Sequence, residues 1–326
     1  MCTAWKKTAV VVTMVVAIAA VMFGALPGVA LDEKKIGILI WSDEPRYEQT
    51  KKGILEALKK KGYAEPAVKF TIENAGGNKA KVVEIAKNFA AAKFDMVIAC
   101  GTSAAVPVAK EIKDVPVVFS MVYDPVESKI ADSWKSSGNN TTGASPKVSM
   151  SQLMSALKQA GPVKRLAVLY TPGEKNSEIQ LKDVQAEQGK SNVKIMPVPL
   201  TSKEEVEQKM ADVVGATDAI YLTGSSIVGA TLSTIIDMAN KAKVITVTHL
   251  EDMVEKGALL GVCANPYQVG ILAGEKAVKI LKGAKPSSVP IEMLEKQDVI
   301  INMKTVKAGQ FQLPAAFVKS AARVIE

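Results

Sequence analysis

The sequence has 326 residues, of which 48% are hydrophobic, 23% charged and 5% aromatic. This composition is that of a globular protein and excludes collagen-like, low-complexity and disordered chains. The formal net charge is +8, but the lysines are spread over polar helix faces without interleaved aromatic residues, so we expect no nucleic-acid partner. The length predicts about two domains, each able to bury its own core.

The first 30 residues have the three parts of a secretory signal peptide. Lys6 and Lys7 precede an apolar stretch that covers residues 9–23, and the run GVA at 28–30 places small residues before a cleavage site. We predict cleavage near Ala30 and export to the periplasm or another extracytoplasmic space. The alternative is an uncleaved anchor, because the apolar run approaches the length that spans a bilayer.

Strands alternating with helices follow the leader. Predicted strands cover 35–40, 67–72, 96–100, 117–121, 165–170, 193–198, 219–222, 244–247, 258–263 and 299–302, and predicted helices cover 47–61, 79–90, 104–112, 176–188, 204–214, 228–241 and 267–281. Near-continuous apolar strands separated by helices predict an α/β fold with parallel sheets covered on both faces. The segment 94–103 aligns with 217–226 at a constant offset, which indicates two doubly wound lobes rather than one large sheet.

The predicted lobes exchange segments near the end of the chain. We assign residues 31–143 and 266–297 to a first, N-terminal lobe, and residues 144–265 and 298–326 to a second, C-terminal lobe. The connections near Thr142–Ser145, Asn265–Tyr267 and Gln297–Val299 would then form a hinge. A hinge between two α/β lobes creates a cleft.

Two similar loops are expected at this cleft, because ligands of open α/β sheets bind beyond the carboxyl ends of the strands. The triplet Gly101, Thr102 and Ser103 follows a strand and opens a helix, and the triplet Gly224, Ser225 and Ser226 does the same in the second lobe. Hydroxyl and backbone N–H groups at the start of a helix favour anions, so a ligand carboxylate is expected on both loops. The alternative for each loop is an ordinary helix N-cap.

Other strand ends carry polar and aromatic residues. The further candidate ligand contacts are Trp41, Ser42, Tyr123, Asp124, Asn176, Ser177, Glu251 and Asn265. A ligand ammonium would need Asp124 or Glu251. Trp41 or Tyr47 after the first strand could stack on a ligand ring or simply cover the edge of the sheet. The alternatives are a turn for Asp124, an N-cap for Asn176 and Ser177, and hinge geometry for Asn265.

Signatures of enzymes are missing from the sequence. It has no GxSxG, GxxxxGK[ST] or HExxH motif and no GxGxxG after the first strand, and His249 is the only histidine. We therefore expect no catalytic residue, metal or cofactor; an enzyme using Glu251 and His249 is the minor alternative. Cys100 and Cys263 end apolar runs and are interpreted as buried small hydrophobes rather than as a disulfide.

Several longer segments resemble one known family. They are GTSAAVPVAKEIKDVPVVFSMVYDPV (101–126), NNTTGAS (139–145), YTPGEKNSEIQ (170–180), GALLGVCANPYQVGILAGEKAVKILKGAKPSSVP (257–290) and VIINMKTVKAGQFQLP (299–314). In this order they resemble the substrate-binding proteins of ABC transporters in the tryptophan/tyrosine-binding group. The resemblance covers residues 35–314 and implies a type I periplasmic-binding fold that closes on a small ligand and delivers it to a membrane permease.

The resemblance also bears on the site. Gly101, Thr102, Ser103, Asp124 and the pair Asn176-Ser177 match the family's cleft positions, and Asn265 does so more loosely. Family members often carry an Asp-Asn pair where this chain has Ser225-Ser226, so a carboxylate is missing from that strand end.

The expected function is that of an extracytoplasmic solute receptor, monomeric, for a small molecule such as an aromatic amino acid. The alternative partner is a membrane receptor kinase instead of a permease.

Overall fold

The computed structural model describes residues 33–326. The predicted signal peptide at 1–30 lies outside the described residues. Within residues 33–326, no helix is both long enough and apolar enough to cross a membrane.

Thirteen strands and thirteen α-helices are present in the described chain. The strands are β1 Lys34–Ile40, β2 Val68–Asn74, β3 Met96–Cys100, β4 Val117–Ser120, β5 Thr141–Ser145, β6 Arg165–Tyr170, β7 Lys194–Pro199, β8 Ala219–Leu222, β9 Ile245–Thr248, β10 Leu260–Cys263, β11 Glu292–Met293, β12 Asp298–Asn302 and β13 Arg323–Ile325. The helices are α1 Pro45–Lys60, α2 Lys79–Ala91, α3 Thr102–Glu111, α4 Met150–Ala160, α5 Lys175–Ala186, α6 Gln188–Ser191, α7 Val206–Ala216, α8 Ser226–Ala230, α9 Leu232–Lys241, α10 Glu251–Glu255, α11 Pro266–Leu281, α12 Met303–Ala308 and α13 Ala315–Ser320. A 3₁₀ turn covers Pro286–Ser288.

The first sheet has six strands in the order β11-β5-β4-β3-β1-β2, and all of its strand pairs are parallel. Its central strands are buried along their length; all five residues of β3 and all four of β4 are buried. Strands covered on both faces need apolar side chains on both, which explains why these segments read as continuous apolar runs.

The second sheet has seven strands in the order β13-β12-β10-β9-β8-β6-β7. Its pairs are parallel except for β10 with β12, which is antiparallel. Both sheets therefore have the doubly wound α/β character that the sequence predicted. We call the parts of the chain around the two sheets the first lobe and the second lobe.

The chain passes between the sheets three times: after β5, between β10 and α11, and between β11 and β12. Strand β5 reaches Ser145 in the first sheet, so the predicted boundary at residue 143 falls inside a strand. Two of the crossings are tied together, because the backbone N–H of Ser149 donates to Oε1 of Gln297 at 2.8 Å.

Helix α11 follows a strand of the second sheet but packs along α1 in the first lobe. Glycines permit this close approach: a Cβ atom on Gly53 would lie 2.2 Å from the carbonyl oxygen of Tyr267, and one on Gly270 would lie 2.1 Å from that of Thr50. The two helix backbones touch where these glycines face each other. This contact fixes the return of the chain to the first lobe.

The two cysteines of the described chain, Cys100 and Cys263, are buried free thiols. Burial raises the pKa of Cys100 to about 12 and also raises that of Cys263. Both end a central strand and pack in the apolar interior, in agreement with the interpretation as small hydrophobes.

Candidate ligand-binding cleft

A cleft lies between the carboxyl ends of the strands of the two lobes. Its walls are formed by Trp41, Arg46, Tyr47, Thr102, Ser103, Met121, Tyr123, Pro146, Asn176, Gln180, Gly224, His249 and Leu250. The volume of the cleft is about 400 Å³, including parts open to solvent. Its walls are drawn close together and meet at the facing rings of Tyr123 and His249.

The start of helix α3 forms one wall. Gly101 precedes it with φ at 100°, and a Cβ atom there would lie 2.9 Å from a ring carbon of Tyr47, so glycine is required on both conformational and steric grounds. The Thr102 hydroxyl accepts the backbone N–H of Tyr123 at 3.2 Å. Within the described chain, no acceptor faces the backbone N–H groups of Thr102 and Ser103. The positive end of α3 is therefore free for a negative group.

The equivalent loop of the second lobe is already satisfied. The Ser225 hydroxyl accepts the N–H groups of Ile227 and Val228, and the Ser226 N–H donates to Oε2 of Glu174 at 2.9 Å. Ser225 also pairs with the Thr171 hydroxyl at 2.6 Å. Of the two loops expected to hold a carboxylate, only the one at Thr102 therefore has free N–H groups, because protein oxygens already accept those of Ser226, Ile227 and Val228.

Asn176 and Gln180 of helix α5 flank Gly224. The Asn176 amide nitrogen donates to the Gly224 carbonyl at 2.5 Å, and Oε1 of Gln180 accepts the Gly224 N–H at 2.8 Å. These bonds fix which way the Asn176 amide faces. Its Oδ1 is buried and has no partner among the described residues, so an acceptor is left without a donor in the wall of the cleft.

Aromatic rings form much of the remaining surface. Trp41, Tyr47 and Tyr123 come from the first lobe and His249 from the second, and all four are buried. The rings of Tyr123 and His249 meet edge to face across the cleft, with centroids 5.2 Å apart. Such walls favour a flat, apolar ligand group.

A buried ion pair joins the lobes. Arg46 on α1 donates to Oδ2 of Asp252 on α10 at 2.7 Å, and both side chains are only 4% exposed. Arg46 also contacts Glu44 at 2.9 Å and lies over the Tyr47 ring. Burial opposes the charge of Arg46, but Asp252, Tyr47 and Glu44 together outweigh burial and raise the pKa of Arg46 further above its ordinary value.

A second set of charges joins the lobes beside the crossing after β5. Nζ of Lys147 lies 2.8 Å from a carboxylate oxygen of Asp124 in the first lobe and 2.8 Å from one of Asp183 in the second. The Tyr123 hydroxyl also donates to Asp183 at 3.2 Å. Both sets of contacts require the lobes to lie against each other.

The two carboxylates expected to receive an ammonium are engaged elsewhere. Asp124 accepts the N–H groups of Val126 and Glu127 through Oδ1 and pairs with Lys147 through Oδ2. Glu251 pairs with Arg323 at 2.5 Å and accepts from Asn265 at 3.1 Å. Neither residue lines the cleft, because Asp124 is bonded to Lys147 and Glu251 to Arg323.

Other candidates have structural contacts. Asn265 caps α11 by accepting the N–H of Gln268. The Ser177 hydroxyl closes the turn at Thr171 and Glu174. The Ser42 hydroxyl is buried without a partner in the described chain, but the residue is not among those that line the cleft.

Trp41, Thr102, Ser103, Tyr123, Asn176 and Gly224 are the predicted residues that do line the cleft. Tyr47, which the sequence offered beside Trp41 as a stacking ring, also lines it. The sequence did not point to Arg46, Met121, Pro146, Gln180 or Leu250 as contacts, nor to Asp252 behind Arg46. One signal was available for Arg46: Pro45 marks a helix start directly after β1, so the next residue falls in the first turn at a strand end.

The arrangement does not resemble a catalytic or metal site. Burial and the charge of Arg46 lower the pKa of His249 to about 3, so its imidazole stays neutral. Glu251 is tied to Arg323 and Asn265 rather than to His249. No group of three or more histidine, cysteine or acidic side chains in residues 33–326 is arranged to hold a metal ion.

Comparisons with known proteins agree on one family. Residues 35–325 match the family model described as ABC transporter substrate binding protein. A tyrosine-binding protein of Clostridioides difficile is 29% identical over 283 residues, which cover 86% of this chain and 82% of the relative.

Two solved structures resemble the fold closely. One is an ABC domain in complex with L-Trp from Streptococcus pneumonia, with a TM-score of 0.85 and 28% identity, covering 90% of this chain and 100% of that chain. The other is a ligand-free, open substrate-binding protein with adhesive properties from Clostridium difficile, with a TM-score of 0.71 and 29% identity, covering 90% and 99%.

Proposed function

Because the chain belongs to the ABC transporter substrate-binding protein family, whose members are solute-binding proteins and not enzymes, we propose that it binds an aromatic L-amino acid outside the cytoplasm. Its two-lobed, parallel-sheet α/β fold is the predicted fold class, that of type I periplasmic-binding proteins. In the proposed role the closed, monomeric protein delivers the ligand to a membrane permease. The relatives bind tyrosine or L-Trp by name, which supports the ligand class.

The ligand class is inferred from two polar groups without partners that lie on opposite walls of an aromatic cleft. The free N–H groups of Thr102 and Ser103 lie at the positive end of α3 and suit a carboxylate. Oδ1 of Asn176, on the facing lobe, suits an ammonium. A zwitterion supplies both charges, and the rings of Trp41, Tyr47 and Tyr123 offer apolar surface to a flat side chain.

Closure is proposed to follow from contacts that need both lobes. The Arg46–Asp252 and Lys147–Asp183 pairs form only when the lobes meet. At nearly equal sequence identity, the TM-score is 0.85 to the L-Trp complex and 0.71 to the open, ligand-free structure, which supports a closed arrangement here. A ligand that touches both walls would shift the population toward this state.

Isothermal titration calorimetry tests the ligand class. L-Trp, L-Tyr and L-Phe are titrated with two matched analogues, tryptamine, which lacks the carboxylate, and indole-3-propionate, which lacks the ammonium. We expect binding of at least one L-amino acid and at least ten-fold weaker binding of both analogues. Equal binding of an analogue and its parent amino acid would contradict the proposal.

A variant pair tests the helix start. Thr102→Pro removes the first amide donor at a position where proline is tolerated, and Thr102→Val removes the hydroxyl but keeps the amide. We expect Thr102→Pro to bind the amino acid at least five-fold more weakly than Thr102→Val. Equal affinities would remove this amide from the site.

Export and delivery have their own tests. N-terminal sequencing of the secreted protein should give Leu31 as the first residue, and an intact leader would support the anchor instead. Uptake of labelled amino acid should be lost when the gene is deleted and restored by the wild-type chain.

A further inference from the structure

His249 occupies a special place in the cleft wall. It follows β9 in the second lobe, is 2% exposed and lines the cleft. Its ring lies between Tyr123, whose centroid is 5.2 Å away, and Tyr221, whose centroid is 5.9 Å away in a stacked arrangement. Packing on both sides holds the imidazole in one orientation.

The hydrogen bond to Tyr221 determines where the imidazole proton lies. The Tyr221 hydroxyl oxygen is 2.7 Å from Nδ1 of His249, and Tyr221 is completely buried. This is the one hydrogen bond of the Tyr221 hydroxyl within the described chain. A buried hydroxyl proton needs an acceptor, so Tyr221 donates to Nδ1 and the proton of the neutral ring resides on Nε2.

The Nε2–H group therefore remains as a donor. It has no partner in the part of the chain that the structure describes, and His249 lines the cleft. A ligand in the cleft is the group that can supply an acceptor to it.

His249 also lies near the proposed head-group contact on the second lobe. Asn176 donates to the carbonyl of Gly224, which lies just beyond β8, and His249 follows the neighbouring strand β9. Both residues line the same cleft, so a ligand whose ammonium lies at Asn176 can direct its ring toward His249.

We propose that Tyr221 fixes His249 as an Nε2–H donor, and that this donor selects a phenol over an indole at the far end of the ligand. A phenol oxygen accepts a hydrogen bond, whereas an indole presents only an N–H donor. Two donors facing each other leave both without an acceptor, which weakens the binding of tryptophan. His249 is thus a specificity-determining residue and Tyr221 a positioning residue. This inference rests on the proposed function, since it assigns the ligand class within the same cleft.

The proton position can be measured without any ligand. His249 is the only histidine of the chain, so protein labelled with ¹⁵N-histidine gives one set of imidazole signals. Long-range ¹H–¹⁵N spectra at pH 7 should show a protonated Nε2 and an unprotonated Nδ1. A protonated Nδ1 in the wild-type protein overturns the inference, whatever the binding data show.

Binding measurements test the selection itself. Calorimetry with L-Tyr, L-Phe and L-Trp is carried out on the wild type, on Tyr221→Phe and on the remote control Tyr63→Phe. The wild type and the control should bind L-Tyr about ten-fold more tightly than L-Phe, and more tightly than L-Trp. In Tyr221→Phe the Nδ1 position is free to take the proton, so the preference for L-Tyr over L-Trp should fall at least five-fold, with L-Phe affinity changed less than two-fold.

The outcomes separate this inference from the proposed function. Equal Tyr-to-Trp ratios in Tyr221→Phe and the wild type, or tighter binding of L-Trp than L-Tyr by the wild type, overturn the selection by His249 while an aromatic ligand stands. Absence of binding by all three amino acids overturns the proposed function and with it the selection. If Tyr221→Phe folds poorly by circular dichroism, His249→Phe provides the second variant and should bind L-Tyr and L-Phe equally.

Discussion

The buried imidazole of His249 predicts a specific loss of stability in acid. Desolvation, reinforced by the charge of Arg46, lowers its pKa in the folded protein to about 3, whereas an unfolded chain has a histidine pKa of about 6.5. Below about pH 6.5 the unfolded chain binds a proton that the folded protein does not. The free energy of unfolding therefore falls with decreasing pH, and this contribution is fully present only above the unfolded pKa.

The magnitude follows from the two pKa values. Each pH unit between them changes the free energy of unfolding by about 1.4 kcal/mol. The wild-type protein should therefore lose about 2 kcal/mol from this residue between pH 8 and pH 5, and about 3 kcal/mol by pH 4.

Urea unfolding of ligand-free wild type and His249→Phe at pH 8 and pH 5 isolates this contribution. Acidic side chains titrate in both proteins and cancel in the difference, so the wild type should lose about 2 kcal/mol more than the variant does. Parallel pH profiles for the two proteins would refute the argument, because they would mean that His249 is either solvated or protonated in the folded state.

Three further predictions concern packing, thiols and closure. Gly53→Ala should lower the free energy of unfolding by about 3 kcal/mol, because its Cβ would meet the backbone of α11. The control Gly189→Ala has open space around the new Cβ and should not lower it. Similar melting temperatures of the two variants would contradict this prediction. Cys100 and Cys263 should resist a thiol reagent until urea unfolds the protein, since both are buried with raised pKa values; rapid labelling in buffer would argue against it. Asp183→Asn removes the ion pair with Lys147 that joins the lobes. It should weaken ligand binding by two- to five-fold and enlarge the radius of gyration in X-ray scattering, with little change in stability. Unchanged affinity and radius would contradict a role of Asp183 in closure.

The central architecture was predictable because buried parallel strands need apolar side chains on both faces. Strands such as β3 and β8 satisfy this with every residue. The strands missed by the sequence analysis are β5, β11 and β13, which lack such runs. The sequence TTGAS of β5 is small and polar, yet the strand is buried. Gly143 lets β5 pack closely against β4, because a Cβ atom at this position would lie only 2.2 Å from the carbonyl oxygen of Phe119.

The candidate site was predictable only as a set of strand ends. Periodicity locates the loop at Gly101 and the loop at Gly224 equally well. Nothing in either triplet reveals that the backbone N–H groups of one loop are free and those of the other are already bonded. The difference arises from Glu174, which lies on another loop and reaches the Ser226 N–H. Arg46 was missed for a related reason: charged residues at the start of a helix usually face solvent, and its burial depends on Asp252, 206 positions later in the chain.

The unequal helix starts suggest an order of events in binding. In the second-lobe loop, the backbone N–H groups are already bonded to Glu174 and Ser225. Of the two equivalent loops, only the one at Thr102 and Ser103 therefore offers free N–H groups to a ligand carboxylate. A zwitterionic ligand would therefore dock on the first lobe while the cleft is open. The second lobe would then add an acceptor from Asn176 and a donor from His249 as it closes, and both contacts exist only in the closed state. Recognition of the carboxylate would thus govern capture, and recognition of the ammonium and the side chain would govern how long the closed state lasts.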